Sequence, residues 1–169
     1  MKHNKLFVPV FAPFDLKDAV ITLQGGSGSS GALEIKVGQG NLTFKEARNI
    51  EYILDRGSLD NVRAGDEVPL DVSLEFIWEY IEGSGSPVDA IKGSTGWVSS
   101  DTDGDLCRPY AVNIIITRDL SACEADSETI TLNDFRWESL DYNAKEATIA
   151  VSGKCNVTEA AVVRIAYTP

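Results

Sequence analysis

Apolar side chains recur at every second position along most of this chain, a period that belongs to strands and argues against an architecture built on helices. The clearest case is residues 68–82, where Val72, Leu74, Phe76, Trp78 and Tyr80 fall on one face and Asp71, Ser73, Glu75 and Glu79 on the other. Such a strand has a core side and a wet side, as in an antiparallel sheet. Ala19, Ile21 and Leu23 alternate in the same way, as do Leu33, Ile35 and Val37. Further strands are expected over 49–56, 110–118, 128–140, 146–157 and 161–167. Within 128–140 the apolar phase moves from even (Ile130, Leu132) to odd (Phe135, Trp137) across Asn133 and Asp134, so a bulge or a break is expected there.

Helix signals gather in one place. Ser86 can cap a helix that begins at Pro87 and stops at Gly93, which gives about two turns. Residues 158–161 are too few to assign. About eight strands and one short helix imply a mainly β fold, an antiparallel sandwich or barrel. A chain of 169 residues suits one domain. That domain is expected over 19–169, after an extended N-terminal arm over 1–18 whose apolar run, interrupted by Pro9 and Pro13, packs on the domain or on a neighbouring subunit. No small-x-small cleavage site follows that run, so it is read as an arm rather than a secretory signal. Two loops stand out. Residues 25–31 are all Gly and Ser and are expected to form a mobile connection. Residues 57–67 separate two patterned strands by far more than the usual two to five residues of a hairpin loop, so this long hairpin loop contacts something or is disordered.

Charge narrows the function. Asp and Glu number 26 against 15 Lys and Arg, leaving a net −11. Tight nucleic-acid binding rests on Lys and Arg displacing counterions from phosphates, so it is disfavoured, as is docking on anionic membranes. The only His is His3, which a His-based triad or a multi-His metal site would need. Gly26 to Gly31 spells G-x-G-x-x-G, but a strand follows where a dinucleotide site needs a helix. Asp101, Asp103 and Asp105 imitate a calcium loop, yet the Gly is fourth rather than sixth and Val112 stands where the bidentate Glu belongs. An acidic surface turn is expected instead. Cys107, Cys123 and Cys155 lack zinc-site spacing. A bridge between Cys107 and Cys123 would close about 16 residues and contribute roughly 3 kcal/mol in an oxidising compartment. Cys155, in line with Ile149 and Val151, is expected to be a buried small apolar residue. Carboxylate pairs such as Asp101 with Asp103 or Glu75 with Glu79 single out no catalytic set, and no metal or other cofactor is expected.

The run Asn49-Ile50-Glu51-Tyr52-Ile53-Leu54-Asp55-Arg56-Gly57-Ser58-Leu59-Asp60, with Val62-Arg63-Ala64-Gly65-Asp66-Glu67-Val68-Pro69-Leu70 leading into Trp78-Glu79-Tyr80-Ile81, resembles the tail tube proteins of tailed bacteriophages. Cys107-Arg108-Pro109-Tyr110-Ala111-Val112, Ile130-Thr131-Leu132-Asn133-Asp134-Phe135 and Ser152-Gly153-Lys154-Cys155-Asn156-Val157 continue the likeness, which covers residues 33–160. The resemblance implies a β-sandwich or barrel subunit that closes into homo-hexameric rings, with rings stacked into a hollow tube through which genome DNA is ejected. No catalytic residue and no cofactor come with it. It implies that residues 57–67 reach an adjacent ring or subunit, with Gly57, Asp60, Arg63, Asp66 and Glu67 at the contact. Partners would be further copies of the chain, with a tail sheath, a baseplate and terminator proteins beside them, in a virion made in a bacterial cytoplasm. Asp71, Ser73, Glu75 and Glu79 are expected to face the channel, where six copies would carry about −66 and let DNA slide without sticking. Two alternatives stay open: a related terminator or baseplate subunit, and a β-sandwich module that binds carbohydrate or protein through Trp97 or Tyr110.

Overall fold

The structure is a computed structural model that describes residues 15–29, 31–37, 41–80, 85–94, 96–101, 108–121 and 126–167. Its strands are β1 (Val20–Gln24), β2 (Ala32–Ile35), β3 (Leu42–Lys45), β4 (Ile50–Asp55), β5 (Ser58–Ala64), β6 (Leu70–Ile77), β7 (Val112–Arg118), β8 (Ser127–Asn143), β9 (Thr148–Cys155) and β10 (Ala161–Ile165). One helix, α1 (Pro87–Lys92), lies between β6 and β7. The main sheet runs β2-β1-β7-β8-β9-β6-β3, with β10 also beside β8, while β4 and β5 pair only with each other. All pairings are antiparallel. The ends of the sheet meet, because the β6 amides of Ile77 and Glu75 donate to Lys36 O (2.9 Å), just after β2, and to Asn41 O (2.8 Å), just before β3. The sheet therefore wraps on itself and the inward side chains form one core.

Alternation places that core. Val72, Leu74 and Phe76 of β6, Val112, Ile114 and Ile116 of β7, and Ile149, Val151 and Cys155 of β9 are all buried, with Ile21 and Leu23 of β1 beside them. Each such side chain stabilises the fold by about 1.5–3 kcal/mol relative to leaving it in water. β6 ends at Ile77, short of the expected 82, since its partner β9 begins at Thr148 and offers no ladder beyond the Ile77–Thr148 pair. Trp78 and Tyr80 keep the alternating phase but are exposed (45% and 75%).

β8 runs unbroken through Asn133 and Asp134. Ile114 pairs with Leu132 and Val112 with Phe135, so two β8 residues oppose Asn113. Asp134 takes φ +54° there and donates its N–H to Asn113 Oδ1 at 2.9 Å. The phase change is a bulge, and it keeps the strand's apolar side on the core.

The Gly-Ser connection between β1 and β2 is not a free linker. Gly26 N–H donates to Val98 O (2.9 Å), and Ser29 Oγ accepts from Val98 N (2.9 Å). A Cβ on Gly26 would stand 2.1 Å from Ser99 O, so glycine is what allows this loop to lie on the 97–99 segment. Of the expected N-terminal arm, residues 1–14 lie outside the described residues, and Leu16–Asp18 form a 3-10 turn capped by Asp15 rather than an extended segment.

α1 has the expected ends. Ser86 Oγ accepts from Val88 N (3.3 Å), Asp89 accepts from Ser86 N (3.2 Å), and Gly93 closes the helix in the left-handed conformation. Ala90 and Ile91 fix it to the barrel. Ser86→Ala should cost about 1 kcal/mol and lower the melting temperature by roughly 2–4 °C in a chain of this size. A thermal melt followed by circular dichroism measures this, and an unchanged midpoint would show the cap to be idle.

Candidate assembly surface

Most of 57–67 is not a loop: Ser58–Ala64 is the strand β5. Arg56 and Gly57 both take positive φ (+50° and +83°), the two-residue turn that matches strand twist, and the chain returns as β5 along β4. Gly57 is in that turn, Asp60 is the extra residue of a bulge, and Asp66 and Glu67 lie in the return to β6. The proposed contact residues are thus spread from tip to root. Arg63 is already committed, forming an ion pair with Glu51 across the hairpin.

Register sorts the hairpin into two unlike faces. Ile50 opposes Ala64, Tyr52 opposes Val62 and Leu54 opposes Leu59, which makes one face wholly apolar. Glu51 with Arg63, Ile53 with Asn61 and Asp55 with Ser58 make the other mostly polar. Every residue of both strands is exposed, Leu54 and Leu59 by 61% and 72%. A contiguous apolar surface left in water marks an interaction site. A lone two-stranded hairpin is also marginally stable. Its root is held by Gly65 N–H donating to Asn49 O (2.8 Å), by Ala160 N–H donating to Glu46 Oε1 (2.9 Å), and by an ion pair between Arg48 and Glu159. Sequence reasoning singled out the charged residues and did not point to Tyr52, Leu54, Leu59 and Val62, which form this exposed apolar face. The recurrence of Ile50, Tyr52 and Leu54 at alternate positions of β4, despite Ile53 on the other face, was the available signal.

A second exposed apolar surface lies past the far end of β6. Trp78 meets Tyr142 of β8 edge to face, ring centroids 5.4 Å apart. Lys92, at the end of α1, sits over the rings of Trp137 (5.7 Å) and Tyr142 (5.6 Å) and donates to Tyr142 Oη at 3.1 Å. The outer face of β6 carries Asp71 and Ser73 in the open and Glu75 half-buried. Glu79, beyond the strand, pairs with Lys36 at 3.4 Å.

Other sequence candidates resolve into structure. The side chain of Asp101 is 8% exposed and its carboxylate accepts from Arg136 Nη2 (2.6 Å) and Arg108 Nη1 (3.2 Å), which commits it to arginines rather than to a metal ion. Asp103 and Asp105, like Cys107 and Cys123 with their possible bridge, lie outside the described residues. Among the described residues no three His, Cys, Asp or Glu side chains come together as a metal site. Trp97 is buried, and Tyr110 is half-buried with its hydroxyl donating to Ala90 O at 2.6 Å, so neither offers a binding platform.

Cys155 is buried as expected, and burial first, then the Asp134 carboxylate, pushes its thiol up to about 12. Burial alone pushes Tyr110 up to about 12. In the folded state both groups keep protons that the unfolded chain releases near their ordinary values of 9.0 and 10.0. Their stabilising contribution is therefore full below about pH 9 and is lost as pH rises toward 12. The urea midpoint should fall between pH 8 and pH 11, less steeply in Cys155→Ala; equal slopes would show that Cys155 does not couple to folding.

No family model and no curated protein matches the chain. Two solved structures do. The sheath/tube terminator of an extracellular contractile injection system (PVC), in its extended state, superposes with a TM-score of 0.58 at 9% identity, over 92% of this chain and 99% of that one. The tube-terminating cap of the anti-feeding prophage (AFP) superposes with a TM-score of 0.57 at 9% identity, over 98% and 100%. The chain thus has a mainly β, antiparallel fold with one short helix, of the kind found in these tube-terminating proteins.

Proposed function

We propose that this chain is a structural subunit that assembles with itself into rings on a hollow tube of the phage-tail or injection-system kind, placed at the tube's end as a terminator or cap. The observation that carries this reading is the hairpin of β4 and β5, which stands off the core with one face wholly apolar. A monomer gains nothing from such a face, whereas a ring buries it once per subunit. The likeness to two tube terminators over nearly their whole length supports the terminal position. The rings are hexameric, the chain belongs to a virion or a related extracellular particle, and its partners are the tube, a sheath and a baseplate.

A second reading, the repeating subunit of the tube itself, is favoured by the motif likeness to tail tube proteins and by the two exposed apolar surfaces at opposite ends of β6. In either case the acidic outer face of β6, with Asp71, Ser73 and Glu75, lines the channel. Glu79 belongs to the rim, tied to Lys36. A wall of that sign repels a duplex within a Debye length of about 8 Å and lets DNA pass without the phosphate contacts that would hold it.

Negative-stain microscopy of the purified protein across salt and concentration separates the readings. Discrete rings are expected of a terminator. Long tubes would make it the repeating subunit, and a monomer under every condition would overturn both.

A further inference from the structure

Resting on the reading of the chain as a self-assembling subunit, we infer that the apolar face of the β4–β5 hairpin on one copy is received by the aromatic cluster of Trp78, Trp137, Tyr142 and Lys92 on a second copy.

Position is the first argument. The hairpin returns to the barrel at Leu70 and Trp78 follows the other end of β6, so eight residues of extended chain, about 26 Å, separate the two surfaces. Every hairpin residue is exposed, hence the hairpin does not occupy its own cluster. One copy can therefore offer the hairpin to one neighbour while its cluster receives the hairpin of another. Such a contact joins two different patches and repeats from copy to copy, closing a ring if the rotation per step closes and running on if it does not.

Chemistry is the second. Both surfaces are apolar, and the cluster is centred on a lysine. Lys92 lies over two aromatic rings and has no carboxylate within ion-pair distance among the described residues. Asp60, the bulge residue next to Leu59 near the hairpin tip, has no cation partner among the described residues. In a chain of net −11, a lysine without a carboxylate partner at the centre of an exposed aromatic cluster fits an apolar strand pair that carries Asp60 in its bulge. Trp and Tyr are also the side chains that most often anchor protein interfaces.

The test uses two variants of the full chain, Tyr52→Ser/Leu54→Ser in the hairpin and Trp78→Ser/Lys92→Glu in the cluster, each checked for fold by circular dichroism and measured by sedimentation velocity. Each alone is expected to be monomeric. Mixed in equal amounts they should give a 1:1 heterodimer that grows no further, since the first keeps its cluster and the second keeps its hairpin. If the cluster variant assembles as the unchanged protein does, or if the mixture stays monomeric, the inference is overturned while the proposed function stands. If the hairpin variant also assembles, both fall. As a milder change, Lys92→Glu alone should weaken association about tenfold, and combining it with Asp60→Lys should restore it. No restoration counts against the charge pairing.

Discussion

Replacing Tyr52 and Leu54 together by aspartate should abolish assembly and leave the barrel folded. The two side chains are 62% and 61% exposed in the subunit, so an aspartate at either site stays solvated and the monomer loses little beyond their cross-strand pairs with Val62 and Leu59. Those pairs contribute roughly 0.2–1 kcal/mol each. An interface that buries the same face loses far more. Full burial of a large apolar side chain is worth about 1.5–3 kcal/mol, and a buried, unpaired carboxylate adds a desolvation cost. Since about 1.4 kcal/mol is a factor of ten, the pair should reduce association by more than a thousandfold. Size-exclusion chromatography with light scattering should find a monomer with a near-native melting temperature. Rings or tubes formed by this variant at ordinary concentrations would remove the hairpin from the assembly mechanism.

Legibility in the sequence followed how local each cause is. α1 was readable in full because its cap, its first-turn proline and its terminal glycine act within eight residues. β6, β7 and β9 were readable because burial on one face enforces alternation. β5 was not, for two reasons. Ser58, Asp60 and Asn61 are poor strand formers, and no residue of β5 touches the core, so nothing in the barrel selects its pattern. What makes it a strand is the turn at Arg56 and Gly57 and the ladder with β4, a pairing invisible in composition. The same blindness hid the apolar face of the hairpin. The alternation of Ile50, Tyr52 and Leu54 signals a covered face, and within one chain that face has no cover. Trp78 and Tyr80 repeat the lesson: their phase continues β6 although its partner strand has ended. Charged residues such as Asp60, Arg63 and Glu67 stood out in the sequence, yet Arg63 is spent within the hairpin.

The second large effect should come from Gly153, a glycine in the middle of the sheet. A Cβ there would lie 2.0 Å from Arg136 O, 2.9 Å from its carbonyl carbon and 2.9 Å from Phe135 Cε2. Gly153 pairs with Val72 of β6 on one side and Trp137 of β8 on the other, where the β8–β9 register shifts between Trp137 and Ser139. Retreat is blocked in both directions, as β6 is held by β3 and β8 by β7, and the obstacle is backbone rather than a flexible side chain. Gly153→Ala should gain up to about 1 kcal/mol from the less free unfolded chain and lose several to overpacking and distortion. Against a total stability of order 5–15 kcal/mol, that leaves the fold marginal. The melting temperature should drop by about 10 °C. Ser152→Ala, one residue away on the exposed face, should move it little. The manner of failure separates this variant from the hairpin one. Tyr52→Asp/Leu54→Asp should be a stable monomer, whereas Gly153→Ala should lose assembly only as it loses fold. A Gly153→Ala protein that melts within 2 °C of the unchanged chain would mean that β8 and β9 yield at the bulge, and the rigid placement of Trp137 beneath Lys92 would have to be given up with it.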